Sequence, residues 1–151
     1  MLNDMLSNRV LVTALIAWLM GQFLKFPLDF ILNRTWNWGV ILHAGGMPSS
    51  HSAMMTATTL AIGLFHGFGN PLFGLAVAIS MIVIYDATGV RRQAGLHAKV
   101  INEIVQEIFA GHPLPEKQLR EVLGHTSFEV IAGVILGVAI ALLMWKLFPI
   151  T

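Results

Sequence analysis

A chain of 151 residues, 56% of them hydrophobic and only 11% charged, carries less than half the charge of an ordinary soluble domain, which holds about 25%. A soluble fold of this size leaves roughly 30% of its surface in water, too much for so apolar a chain, whereas a bilayer removes that constraint. A formal net charge of +1 gives no basic footprint for nucleic acid, and the absence of cysteine excludes disulfides and cysteine-ligated metals.

A spanning helix needs about 20 mostly apolar residues, and four stretches meet that requirement. The first covers residues 9–32. Its apolar run is followed by Lys25-Phe-Pro-Leu-Asp29 without a small-residue cleavage site, so it reads as a retained helix rather than a signal peptide. The second, residues 48–66, opens on Pro48-Ser49-Ser50. The third, residues 71–88, opens on Asn70-Pro71, a capping residue followed by proline at the first helical position. The fourth covers residues 126–148. Between the third and fourth, residues 98–109 place Ile101, Ile104, Val105 and Ile108 near one face, which predicts an amphipathic helix on the membrane surface or on the bundle. Residues 111–115 break it, and residues 116–123 suit another short helix. The expected fold is all-α: one membrane domain, a four-helix bundle with an interfacial helix between the third and fourth spans.

Small residues recur every four positions on two of these helices. Ser49, Ala53, Ala57 and Ala61 line the second, and Glu129, Gly133, Gly137 and Ala141 line the fourth. Such stripes let helices approach closely in lipid. Facing each other, they would put Ser49 and Glu129 together at one membrane face. Four spans put both termini on one side, and the loops on the other side hold Arg34, Arg91, Arg92, Lys99, Lys117 and Arg120, which makes that side cytoplasmic by the positive-inside rule.

The polar groups at that face invite a functional reading, because an ionisable residue in a span costs about 2.5–3.5 kcal/mol on insertion scales. The segment Gly45-Gly46-Met47-Pro48-Ser49-Ser50-His51 suits a phosphate at a helix N-terminus; equally, it can simply start a helix. His125 and Glu129 lie one turn apart, as an oriented nucleophilic or acid–base histidine requires, yet Thr126-Ser-Phe-Glu129 also has capping-box spacing, and one carboxylate is not expected to fill both roles. Arg91 and Arg92 after Asp86 suit either interfacial anchoring or bidentate phosphate binding. Lys25 can snorkel outward or point inward as a second phosphate ligand. The histidines lack metal-ligand spacing, and no G-x-S-x-G segment supports a serine nucleophile, so neither metal nor other cofactor is expected.

Taken in order, the segments GGMPSSHSA, DATGVRRQAG and LGHTSFEVIAG resemble the divergent branch of the type 2 phosphatidic acid phosphatase family, which is related to vanadium-dependent haloperoxidases. The resemblance covers nearly the whole chain. The parent family carries K-x6-R-P, P-S-G-H and S-R-x5-H-x3-D. By resemblance, Pro48-Ser49-Ser50-His51 stands for the second motif, with His51 as the acid that protonates the leaving group and Ser49 and Ser50 as phosphate ligands. Arg91 and His125-x3-Glu129 stand for a split third motif, which makes His125 the nucleophile and Glu129 the group that orients it. Val90 replaces the motif's serine, and about 33 residues separate Arg91 from His125 where the motif has five. His97 restores the five-residue spacing but has no acid beyond it. Lys25 lies nine residues before Arg34, with no proline following.

The resemblance implies a metal-independent membrane phosphatase, with His125, His51 and Glu129 catalytic, with Lys25, Ser49, Ser50, Arg91 and Arg92 on the phosphate, and with Asp86 in support. Its substrate would be a lipid phosphate or pyrophosphate whose tail stays among membrane lipids. A bacterial inner membrane or a plastid membrane is the expected location, and a homo-oligomer is compatible with it. The competing reading is a non-enzymatic protein that binds or moves a phospholipid or lipid phosphate carrier; a third is a scaffold whose polar residues only cap and pack helices.

Overall fold

The structure, a computed structural model, describes residues 2–34, 46–108 and 124–148. Among them are six helices and no strand: α1 (Leu2–Ser7), α2 (Arg9–Asn33), α3 (Ser50–His66), α4 (Pro71–Thr88), α5 (Val90–Ile108) and α6 (Ser127–Leu147). Three helical stretches are long and apolar enough to cross a membrane: Arg9–Ile31, Pro71–Ile108, whose apolar part is α4, and Ser127–Leu147. At 17 residues α3 is shorter, and it is the helix around which α2, α4 and α6 pack.

The ends follow local chemistry. Asn8 accepts the amide of Leu11 at 3.0 Å to cap α2, and Asn70 accepts that of Leu72 at 2.9 Å to cap α4, with Pro71 at the first turn. Thr126 and Glu129 form a capping box at the start of α6. Gly67, with φ of 91°, ends α3 in a conformation that favours glycine. Two boundaries differ from the sequence expectation. Helix α3 starts two residues late, because Ser49 serves as its N-cap and Pro48 lies outside it. Helix α5 begins directly after Gly89, eight residues before the expected start at residue 98, so Arg91 and Arg92 belong to its first turn rather than to the end of α4. Helix α1 was not expected, and the short helix anticipated at 116–123, the break at 111–115 and Gly45 lie outside the described residues.

Burial is inverted relative to a soluble core. The fully enclosed side chains include Lys25, Thr13, Ser49, Ser50 and Ser52, with Ala17, Ala53, Ala57, Ala61 and Ala141, while Phe23, Ile82, Ile135 and Leu143 are exposed. Lipid tails are as apolar as leucine, so large side chains gain little by turning inward; close approach of backbones takes over. The two small-residue stripes do face each other. A Cβ added to Gly133 would strike the carbonyl oxygen of Ser49, and one on Gly137 would stand 2.5 Å from the carbonyl oxygen of Ala53 and 2.8 Å from Thr56 Cβ. Higher up, the Ser49 amide donates to the carbonyl of Glu129 at 2.9 Å, tying the two helices where the stripes begin. Between α3 and α4 the hydroxyls of Thr59 and Ser80 lie 2.8 Å apart, and Thr59 also donates to the Ala76 carbonyl.

If backbone proximity holds α3 to α6, Gly137→Leu should destabilise the fold by at least about 1–3 kcal/mol, the usual cost of overpacking. The change Ile135→Leu on the exposed face should leave stability unaltered. Thermal aggregation of the detergent-solubilised variants, followed by size-exclusion chromatography, measures the difference.

Candidate active site

Four consecutive residues at the start of α3 point in three directions, because each helical step turns about 100° and the first and fourth fall on one face. Ser49 faces α6, where its amide bonds Glu129 and its hydroxyl accepts the Ser52 amide at 3.3 Å and the Ser52 hydroxyl at 3.0 Å. Ser50 faces α2: a Cβ on Gly21 would stand 2.9 Å from its Cα. Its buried hydroxyl has no hydrogen-bond partner among the described residues, and Gln22 Oε1 on α2 is in the same position. Ser52 packs toward Gly133. His51 alone opens outward, into a cavity of about 350 Å³ lined also by Ile82, Val83, Asp86, Ala87, Arg91 and His125.

At the start of α6, Glu129 Oε2 lies 2.9 Å from His125 Nδ1 and accepts the Thr126 amide at 3.1 Å. A carboxylate only accepts, so Nδ1 carries the proton in this bond. The sequence expectation that one carboxylate cannot cap the helix and orient the ring is therefore corrected: one oxygen does both. His125 itself is buried, and its amide donates to the Ala87 carbonyl at 3.0 Å.

That last bond joins what the sequence separates. Gly124 lies against the backbone of Arg91 and Arg92, so closely that a Cβ there would meet the Arg92 amide. The chain leaves along α5 and returns to the same junction, which places Arg91 and His125 on one cavity despite the 33 intervening residues. His97, the alternative histidine, sits exposed on α5 and does not line the cavity.

The helical register of α5 separates the two arginines. Arg91 shares a stripe with Gly95, Ala98 and Asn102, spaced i, i+4, i+7 and i+11, and those three are the buried residues of α5. Arg92 lies about 100° around the helix, is exposed, and does not line the cavity, so it is not brought to the site. Arg91 Nε donates to Asp86 Oδ2 at 2.6 Å. Lys25 is 1% exposed, points into the bundle rather than snorkelling, and lies within electrostatic reach of Glu129. His125, Lys25 and Arg91 all act electrostatically on the His51 ring.

The cavity thus joins two imidazoles and a guanidinium at the start of α3, and the buried Lys25 ammonium acts on His51 from outside its lining, an environment suited to an anion. Ser49 is occupied as a cap and strut, whereas Ser50 retains an unengaged hydroxyl. Gln22, whose buried oxygen has no partner among the described residues, adjoins Gly21, which packs on Ser50, and so belongs to the same end of the bundle. Replacing Glu129 by Ala removes both of its bonds. It should cost about 1 kcal/mol through the lost cap and release the His125 ring from the Nδ1–H tautomer, as read from its imidazole ¹⁵N shifts.

Residues 6–140 match the sequence profile of the Divergent PAP2 family. An uncharacterized membrane protein of Bacillus subtilis (strain 168), YuiD, is 36% identical over 152 residues, covering 93% of this chain and 96% of that protein. No solved structure matches the chain. With most of its length inside that profile and its three apolar helices able to cross a bilayer, the chain is a membrane protein belonging to the Divergent PAP2 family.

Proposed function

We propose that the protein is a membrane phosphatase that hydrolyses a lipid phosphate or pyrophosphate through a phosphohistidine on His125. The observation that carries this reading is the bond from His125 Nδ1 to Glu129, which leaves Nε2 to act as the nucleophile on a ring that lines a cavity with His51 and Arg91. Nε2 attacks phosphorus while the bond to the lipid oxygen, or to the leaving phosphate, breaks and His51 gives that oxygen a proton. Water then attacks the phosphohistidine; His51 takes its proton, the P–N bond breaks, and inorganic phosphate leaves. Arg91, Lys25 and the α3 amides, with the Ser50 hydroxyl, neutralise the equatorial oxygens, which is where most of the work lies in phosphoryl transfer.

Four spans support this chemistry, with α3 as the short fourth crossing at the bundle centre. The exposed apolar wall of α4 beside the cavity, Ile82 above all, suits a substrate whose tail remains in the leaflet. Helix α5 lies at the interface with its Val90, Ile101, Ile104 and Ile108 face in lipid, and the cavity end of the bundle is cytoplasmic. The competing reading, binding or transport of a lipid phosphate without turnover, keeps the anion site and needs no nucleophile.

Phosphate release from phosphatidate, phosphatidylglycerol phosphate and prenyl diphosphates, without added metal, separates these. The wild-type protein should turn over at least one of them and be inhibited by vanadate. His125→Ala should abolish release, a loss of about 10⁴-fold or more for a nucleophile, whereas a transporter would release nothing in either form and still bind the lipid. Since the chain has no cysteine, single spin-labelled cysteines report the placement of α5. Labels at Ile101 and Ile104 should be accessible to oxygen and shielded from a water-soluble nickel chelate in nanodiscs, and a label at Gln106 should show the reverse.

A further inference from the structure

We infer that Asp86 is a positioning residue that presents the guanidinium of Arg91 to the anion, an inference that rests on the phosphate-site reading above. The pair spans the break between α4 and α5: Asp86 lies in the last turn of α4, Gly89 ends that helix, and Arg91 lies in the first turn of α5. Both side chains line the cavity that His125 and His51 share. The contact runs from Arg91 Nε to one carboxylate oxygen at 2.6 Å, and no other bond to the guanidinium is found among the described residues. A guanidinium held at Nε keeps its Nη1–Nη2 edge, which is one of the two edges that bind a phosphate through parallel bonds.

The pair is poorly explained as a stabilising element. The side chains are 64% and 39% exposed, and ion pairs that open to solvent add little to stability. The backbone on both sides is already fixed without it, by the Ala87–His125 hydrogen bond and by Gly124 against Arg91 and Arg92. What the pair does determine is the rotamer of a long, flexible side chain whose backbone is fixed. A carboxylate placed among cations also opposes anion binding by its charge, so position and charge act in opposite directions at Asp86. Two substitutions separate them. Asn keeps an oxygen that can accept from Nε and removes the charge; Ala removes both.

The test is the dissociation constant of orthovanadate, as a phosphate analogue, for the full-length protein in lipid nanodiscs. Asp86→Ala should weaken binding about tenfold, the worth of one charge-assisted hydrogen bond to the anion. Asp86→Asn should bind as tightly as the wild type or tighter. Asp86→Ala combined with Arg91→Ala should be no weaker than Arg91→Ala alone, since Asp86 favours the anion only through Arg91 and its charge opposes binding. Thermal stability should be unchanged in all three. Asp86→Asn as weak as Asp86→Ala would overturn the inference, as would additive losses in the double variant or wild-type affinity in Asp86→Ala. Failure of the phosphate reading looks different: the wild type binds no vanadate, or Arg91→Ala leaves its affinity untouched.

Discussion

The contact between α3 and α6 is the constraint on which the site depends. Gly133 and Gly137 have no side chains to hold α3 away, so its carbonyls at Ser49 and Ala53 lie against the backbone of α6. Only at that separation can the Ser49 amide reach the Glu129 carbonyl, and that bond fixes the height of one helix start relative to the other. The histidine that precedes α6 and the histidine in the first turn of α3 then belong to the same end of the bundle and open to the same cavity. Packing in lipid and assembly of the site are therefore one event. A larger residue at either glycine would separate the helices and the two histidines together.

Glu129 shows how a polar group can be retained at low cost where desolvation penalises it. Its backbone carbonyl serves α3, its amide is met by Thr126, and a single side-chain oxygen takes the Thr126 amide and the His125 ring proton. Every bond is to a group that would otherwise be an unpaired donor or acceptor at a helix end. Cap and partner of the histidine ring are the same object because a residue one turn into a helix is where both a first-turn amide and the side chain just before the helix can be reached. Sequence spacing shows i to i+4 for the histidine and i to i+3 for the cap, and the two patterns read as rivals until the oxygen is placed.

Much of the architecture was legible because lipid imposes lengths and faces. The four apolar runs, the caps at Asn70 and Thr126, and the facing stripes all follow from spacing. Less was legible where one pattern served two surfaces. Helix α5 reads as amphipathic from its large apolar residues, but most of those are exposed, and the residues it buries are Gly95, Ala98 and Asn102. A search for the small-residue face rather than the apolar face would have separated Arg91, which shares that stripe, from Arg92, which does not. Ser49 shows the same ambiguity: capping and phosphate binding use the same hydroxyl, and the structure adds that it accepts from the Ser52 amide and hydroxyl.

The pairing of Arg91 with His125 on one cavity is where sequence distance misleads most. Five residues between arginine and histidine keep two side chains on one local turn; 33 residues normally disperse them. Here the intervening chain does not contribute to the distance, because it departs and returns at one junction. Ala87 receives the His125 amide, and Gly124 occupies the space beside Arg92 that any side chain would fill. Insertion of a surface helix is thermodynamically mild when its ends stay together, since the entropy of closing a loop grows only with the logarithm of its length. What must be kept is the closure, and the demand falls on residues other than Arg91 and His125 themselves: a carbonyl at Ala87 and a glycine at Gly124.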